Sequence, residues 1–189
     1  MDLKETVTKF TGLPAAAVDR LLALGTTKEL SKGDLFIRAG DLPKKMGLVL
    51  SGLFRYVYTD DNGNEFTKAF MPAASFLSSY SSMIHGERSY YGIEALEDAR
   101  VLEFSYEHWQ QLRTEDPAWD KLLLKMLELG YSAKERRERE LLLLSAEERY
   151  QNFYVRYPDL AGRIKQRQIA SFLGIQPESL SRIKKKLGP

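Results

Sequence analysis

Between Thr27 and Phe104 short apolar stretches alternate with turn residues, and this rhythm constrains the fold more than any other feature. Leu35 to Ile37, Gly47 to Leu50 and Leu53 to Tyr58 are rich in the β-branched, aromatic and aliphatic residues that suit strands. Ser51-Gly52 separates the second stretch from the third. Asp60-Asp61-Asn62-Gly63 then turns the chain back onto Phe66 to Phe70. Asn-Gly at that place predicts a type I′ hairpin turn, which needs positive φ at both central residues. Tyr90 to Ala95 and Arg100 to Phe104 supply further strands. Strands this short and this closely spaced predict an antiparallel sandwich or roll rather than a parallel sheet.

Helices are expected on both sides of this region. Leu3, Val7, Phe10, Val18, Leu21 and Leu22 recur at helical spacing, with Gly12 and Pro14 dividing the segment and Gly25 ending it. Tyr106 to Arg113 reads as a short turn or helix. Asp116 as cap and Pro117 in the first turn then open a long helix. Its apolar residues Trp119, Leu122, Leu123, Met126, Leu127 and Leu129 cover more than one face, so it should be buried both on its own domain and on a partner. The charged run Lys134 to Glu140 and the apolar Leu141 to Leu144 follow, and the sequence pattern changes near Glu140 to Glu147. The expected class is α+β, in three parts. Residues 1–115 form an antiparallel β-roll of jelly-roll type with N-terminal helices. Residues 116–144 form a dimerisation helix and linker, and 145–189 an all-α domain.

The segment Arg167 to Leu187 carries the functional signal. Ile169, Phe172 and Leu173 give a short helix one apolar face, and Ala170 is small enough for a second helix to cross closely. Gly174 stands where a sharp turn needs a left-handed backbone, and Ile175 should plug that turn. Pro177 opens a second helix whose Leu180, Ile183 and Leu187 should face inward. This is helix-turn-helix grammar. Gln176, Glu178, Ser179 and Arg182 lie at the start of the second helix or on its outer face, where such helices meet base edges in the major groove. An arginine can donate two bonds to guanine O6 and N7, and a glutamate can accept from cytosine N4. Lys184, Lys185 and Lys186 suit phosphates.

Charge supports this reading. From Leu160 onward seven basic residues face one acid, although the whole 189-residue chain carries only +2. A basic end on an acidic body is a common footprint of nucleic-acid contact. Cysteine is absent, which excludes disulfides and thiolate metal sites. His85 and His108 stand apart with no ligand-like spacing, so neither a metal nor a cofactor is expected. For the same reason a cupin-like metal enzyme lacks its clustered ligands. No nucleophile–base pair or phosphate loop suggests another enzyme. The opening MDLKETVTKF does not read as a signal peptide, and no apolar run approaches a membrane span, so a cytoplasmic protein without a membrane partner is expected.

Taken together, the chain resembles the cyclic-AMP receptor and Fnr superfamily of bacterial transcriptional regulators over nearly its whole length. In the roll the resemblance rests on Lys32-Gly33-Asp34, Arg38-Ala39-Gly40-Asp41, Leu48-Val49-Leu50-Ser51-Gly52 and Asp61-Asn62-Gly63-Asn64-Glu65. Near the C-terminus it rests on Ile169-Ala170, Gly174, Glu178-Ser179 and Ser181-Arg182-Ile183. The resemblance implies a homodimer bound to duplex DNA, with Glu178 and Arg182 as base readers. A further base-contacting arginine of some members falls on Pro177. It also implies an effector pocket in the roll and admits RNA polymerase as a partner.

Two departures stand out. The family's Gly-Glu pair, whose Glu holds the ribose of a cyclic nucleotide, falls on Ser78 and Ser79, whereas the Arg-Ser pair for the phosphate remains as Arg88 and Ser89. Losing that carboxylate should cost cyclic AMP about 1.5 to 3 kcal/mol, so any effector is expected to be a different small molecule. Secondly, the sequence given stops at Leu187-Gly188-Pro189, where family members continue into a two-stranded wing. A short wingless type is expected, with a truncated chain as the competing explanation. The alternative to a DNA reader is a ligand-binding or protein-interaction module of the same fold that does not touch DNA.

Overall fold

A computed structural model describes residues 2–160 and 162–187. The chain divides into two compact units, Met1–Tyr56 with Phe70–Glu128 and Val57–Ala69 with Leu129–Pro189.

In the first unit, α1 (Leu3–Thr11) and α2 (Ala15–Leu24) break at Gly12 and Pro14 as the sequence indicates. The strands are β1 (Thr26–Leu30), β2 (Leu35–Ile37), β3 (Lys45–Ser51), β4 (Leu53–Thr59), β5 (Glu65–Pro72), β6 (Phe76–Leu77), β7 (Gly92–Ala95) and β8 (Ala99–Ser105). They form two four-stranded sheets, ordered β1-β8-β3-β6 and β2-β7-β4-β5, with antiparallel pairing. This is the jelly-roll expected. A short helix, α3 (Tyr80–His85), follows β6, and α4 (Tyr106–Glu115) follows β8. The core of this unit joins Val7, Val18 and Leu21 from the N-terminal helices to Met46, Leu48, Leu102 and Phe104 from the strands. Trp109 and Trp119 close it, edge to face with ring centroids 5.8 Å apart. Arg55 on β4 is buried and pairs with Glu94 on β7.

The hairpin between β4 and β5 departs from the sequence reading. Gly63 has φ +80°, but Asn62 does not share the left-handed region, so the turn is not type I′. The Asp60 side chain decides this. Its carboxylate accepts from the Asn62 and Asn64 amides and from the Asn64 side chain. The Gly63 amide bonds the Asp60 carbonyl, and the Asp60 amide bonds the Asn64 carbonyl. The result is a three-residue loop, a type I turn followed by a left-handed glycine. The same bonds hold the Asp60 carboxyl below its ordinary pKa, the Asn64 side chain contributing most.

The long helix α5 (Ala118–Leu143) is capped by Asp116, whose carboxylate accepts from the Ala118 amide. Trp119, Leu122 and Leu123 are buried, whereas Leu124 and Leu127 are exposed.

In the second unit, α6 (Ala146–Arg156), α7 (Gln166–Leu173) and α8 (Pro177–Leu187) pack around Phe153, Leu160, Ile169, Phe172, Leu173, Leu180 and Ile183. Ser145 and Glu148 form a reciprocal capping box that starts α6. Two residues of the charged run Lys134 to Glu140 take part in this packing. The Arg137 guanidinium lies 4.1 Å above the Phe172 ring, and buried Glu140 accepts from Arg156 at 2.6 Å.

Candidate nucleic-acid interface and effector pocket

Residues 166–187 form the two helices that the sequence indicates. The first buries the apolar Ile169, Ala170, Phe172 and Leu173 together with the polar Gln168. Gly174 takes φ +67°, a conformation open to glycine at no steric cost, and a Cβ there would lie 3.1 Å from Leu141. The Ile175 amide bonds back to the Ala170 carbonyl and closes the turn, although Ile175 itself is only half-buried. The Arg149 side chain satisfies two helix ends at once, donating to the Leu173 carbonyl at 3.0 Å and the Leu144 carbonyl at 2.6 Å. Those carbonyls would otherwise be orphaned.

Leu180 and Ile183 anchor α8. Leu187, expected inward, is exposed, because it lies at the end of the described helix beyond the last residue that packs. Gly188 and Pro189, on which the expectation of a missing wing rests, lie outside the described residues. Gln176, Glu178, Arg182, Lys184, Lys185 and Lys186 are all exposed. They are not equivalent. Glu178, Arg182 and Lys185, at i, i+4 and i+7, share one ridge opposite the buried stripe. Ser181, also exposed, borders this ridge; the sequence reading quoted it for the resemblance but did not count it among the DNA-contact candidates. Its place follows from helical geometry once the buried stripe is known. Ser179 is half-buried beside that ridge and accepts from the Arg182 guanidinium at 3.2 Å. Lys186 is drawn to α6, donating to Glu147 at 2.8 and 2.9 Å. The cleft between them, about 500 Å³, is lined by Ser145, Ser179, Arg182 and Lys186 among others.

The structure also brings the four effector-pocket candidates close together, and it occupies their polar groups. The Ser78 amide donates to the Tyr56 hydroxyl at 3.0 Å, and the Ser78 carbonyl accepts from the Tyr91 hydroxyl at 3.1 Å. Tyr56 and Tyr91 stack with ring centroids 5.1 Å apart. Ser79 and Ser89 are buried, and Ser89 donates within reach of both the Ser79 hydroxyl (2.9 Å) and the Tyr91 carbonyl (2.8 Å). Ser79 reaches Ser82 in turn at 3.1 Å. The Arg88 guanidinium donates to the Gly40 carbonyl at 2.7 Å. Burial pushes the Tyr56 phenol well above its ordinary pKa, so it stays neutral and serves as a hydrogen-bonding filler. Sequence alone gave no sign of the two tyrosines, which come from β4 and the segment before β7.

With this geometry in hand, comparison with known proteins is informative. Residues 27–116 match the cyclic nucleotide-binding domain family. No curated protein sequence matches the chain. Solved structures share its architecture along most of their length. The c-di-GMP-responsive global regulator CLP of Xanthomonas campestris superposes with a TM-score of 0.75 at 19% identity, covering 92% of this chain and 91% of its own. A CRP/FNR-family transcriptional regulator from Thermus thermophilus gives 0.72 at 20% identity, covering 86% and 85%. The catabolite activator protein of the same organism gives 0.58 at 26% identity, covering 94% and 85%. Residues 27–116 are thus similar to a cyclic nucleotide-binding domain, and the jelly-roll, long helix and C-terminal helix pair share the fold of solved Crp/Fnr-family regulators.

Proposed function

We propose that this protein is a cytoplasmic, homodimeric transcriptional regulator, not an enzyme, that reads an inverted-repeat DNA site through α8. The observation that carries the reading is the ridge Glu178–Arg182–Lys185, exposed on a helix whose opposite side is anchored by Leu180 and Ile183. Such a helix presents its first residues to base edges in the major groove. Two copies related by a twofold axis would read half-sites about 34 Å apart. Arg182 and Glu178 read bases, and the lysines hold phosphates.

The test separates these roles. Arg182→Ala should cost about 1 to 3 kcal/mol on the specific duplex and relax one base position. Lys185→Ala should weaken binding to all duplexes alike and lower the salt dependence by about one counterion. Fluorescence anisotropy on specific and random duplexes reads both. Equal losses on both duplexes from both variants would contradict the assignment.

The cyclic nucleotide-binding domain is proposed not to take cyclic AMP. Serines stand where a carboxylate would hold the ribose hydroxyl, and the buried hydroxyls of Ser79 and Ser89 already bond one another. A nucleotide would have to displace these bonds and the Tyr56–Ser78 contact without gaining a charged acceptor. Calorimetry with cyclic AMP should therefore show no binding at low micromolar concentration. Saturable heat in that range would overturn the proposal.

A further inference from the structure

The three lysines at the end of α8 differ in their surroundings. Among the described residues Lys184 and Lys185 form no ion pair. Lys186 gives its ammonium to Glu147 on α6, donating to one carboxylate oxygen at 2.8 Å and to the other at 2.9 Å. Lys186 stands four residues beyond Arg182, so the two are neighbours on one flank of the exposed ridge. Both line the cleft of about 500 Å³ between α8 and the start of α6, and Glu147 lines it from the α6 side.

Glu147 is not needed to begin α6. Ser145 and Glu148 already cap that helix by a reciprocal pair of bonds. In the first turn Glu147 adds only the modest benefit of negative charge at a helix N-terminus. What sets it apart is its partner, a cation on the helix proposed to read DNA.

We infer that Glu147 is an internal competitor of the DNA phosphates for Lys186, and that it lowers the affinity of the chain for duplexes of any sequence. The inference rests on the DNA-reading function proposed above. The side chains of Lys186 and Glu147 are 64% and 41% exposed, so water already screens the pair and exchanging carboxylate for phosphate costs little. Each exchange nevertheless uncovers a carboxylate beside the duplex. The cation that leaves the phosphate is then offset by one drawn to Glu147, so Lys186 adds little to the salt dependence of binding. Lys185, with no such partner, adds its full counterion.

Glu147→Gln in the full-length chain tests this, with a random-sequence duplex titrated by fluorescence anisotropy at several salt concentrations. Glutamine keeps the size of the side chain, and circular dichroism should show the helices retained. Low-salt affinity should rise about two- to fivefold for each copy of the chain bound, the range of an exposed ion pair. The salt dependence should steepen by about one counterion. With Lys186→Gln already in place, Glu147→Gln should no longer steepen it, because no cation is left to release. Unchanged or weaker binding by Glu147→Gln overturns the competitor while leaving the DNA-reading function standing. So does an equal gain in affinity and slope in the Lys186→Gln background, the mark of a general charge effect. Absence of duplex binding by the parent and every variant overturns both.

Discussion

Replacing Leu124 and Leu127 together by aspartate is expected to lower affinity for an inverted-repeat duplex by about 10²- to 10⁴-fold, the advantage that a second linked contact confers. Both leucines are exposed, at 58% and 47%, and Tyr131, one turn further along α5, is 68% exposed. Residues at this spacing form an apolar stripe, the kind of seam that pairs helices. Burying two aspartates in such a seam would cost several kcal/mol, whereas in the monomer they would sit in water. The change should therefore abolish the dimer and spare the fold. Sedimentation equilibrium should report monomers with an unaltered circular dichroism spectrum, and anisotropy should show that only the weak half-site affinity remains. A variant that still forms dimers would contradict the role given to this face.

Trp119→Ala should have the opposite signature. Trp119 is on the same helix but only 1% exposed, and its ring meets that of Trp109, itself fully buried, edge to face. Removing a large buried aromatic leaves a cavity that its surroundings fill only in part, and the cost is about 3 to 5 kcal/mol. Urea denaturation should show this loss in the transition that reports the jelly-roll. Leu124→Ala, by contrast, should move it by no more than about 0.5 kcal/mol. Similar costs at the two positions would contradict the two-sided reading of α5.

The parts legible in the sequence were those whose cause is local. Gly174, Pro177 and the spacing of Ile169, Phe172, Leu180 and Ile183 specify the helix-turn-helix within about twenty residues, and the structure follows them. Strands β3, β4, β5 and β8 were visible because their apolar residues cluster. Strand β1 was not, since TTKEL is polar and largely exposed, and only its pairing with β8 makes it a strand. The two residues of β6 are too few to show a pattern. The hairpin type was missed because the Asp60 carboxylate, not the Asn-Gly pair, decides the turn.

The least legible features were long-range. Nothing local distinguishes Arg137 and Glu140 from the other charges of their run, yet one stacks on Phe172 and the other pairs with Arg156. Ser171 meets residues 104 and 106 positions away. The candidate pocket serines could be located by resemblance, but the bonds of Tyr56 and Tyr91 to the Ser78 backbone required the folded chain.

The most direct test of the central claim is selection of duplexes from a random pool with the purified full-length chain near physiological salt. Enrichment of an inverted repeat with half-sites about one helical turn apart is the expected result. Arg182→Ala should lose discrimination at one position of each half-site. A pool that shows no preferred sequence, with or without a small-molecule extract of cells, would contradict the reading of this chain as a sequence-specific regulator.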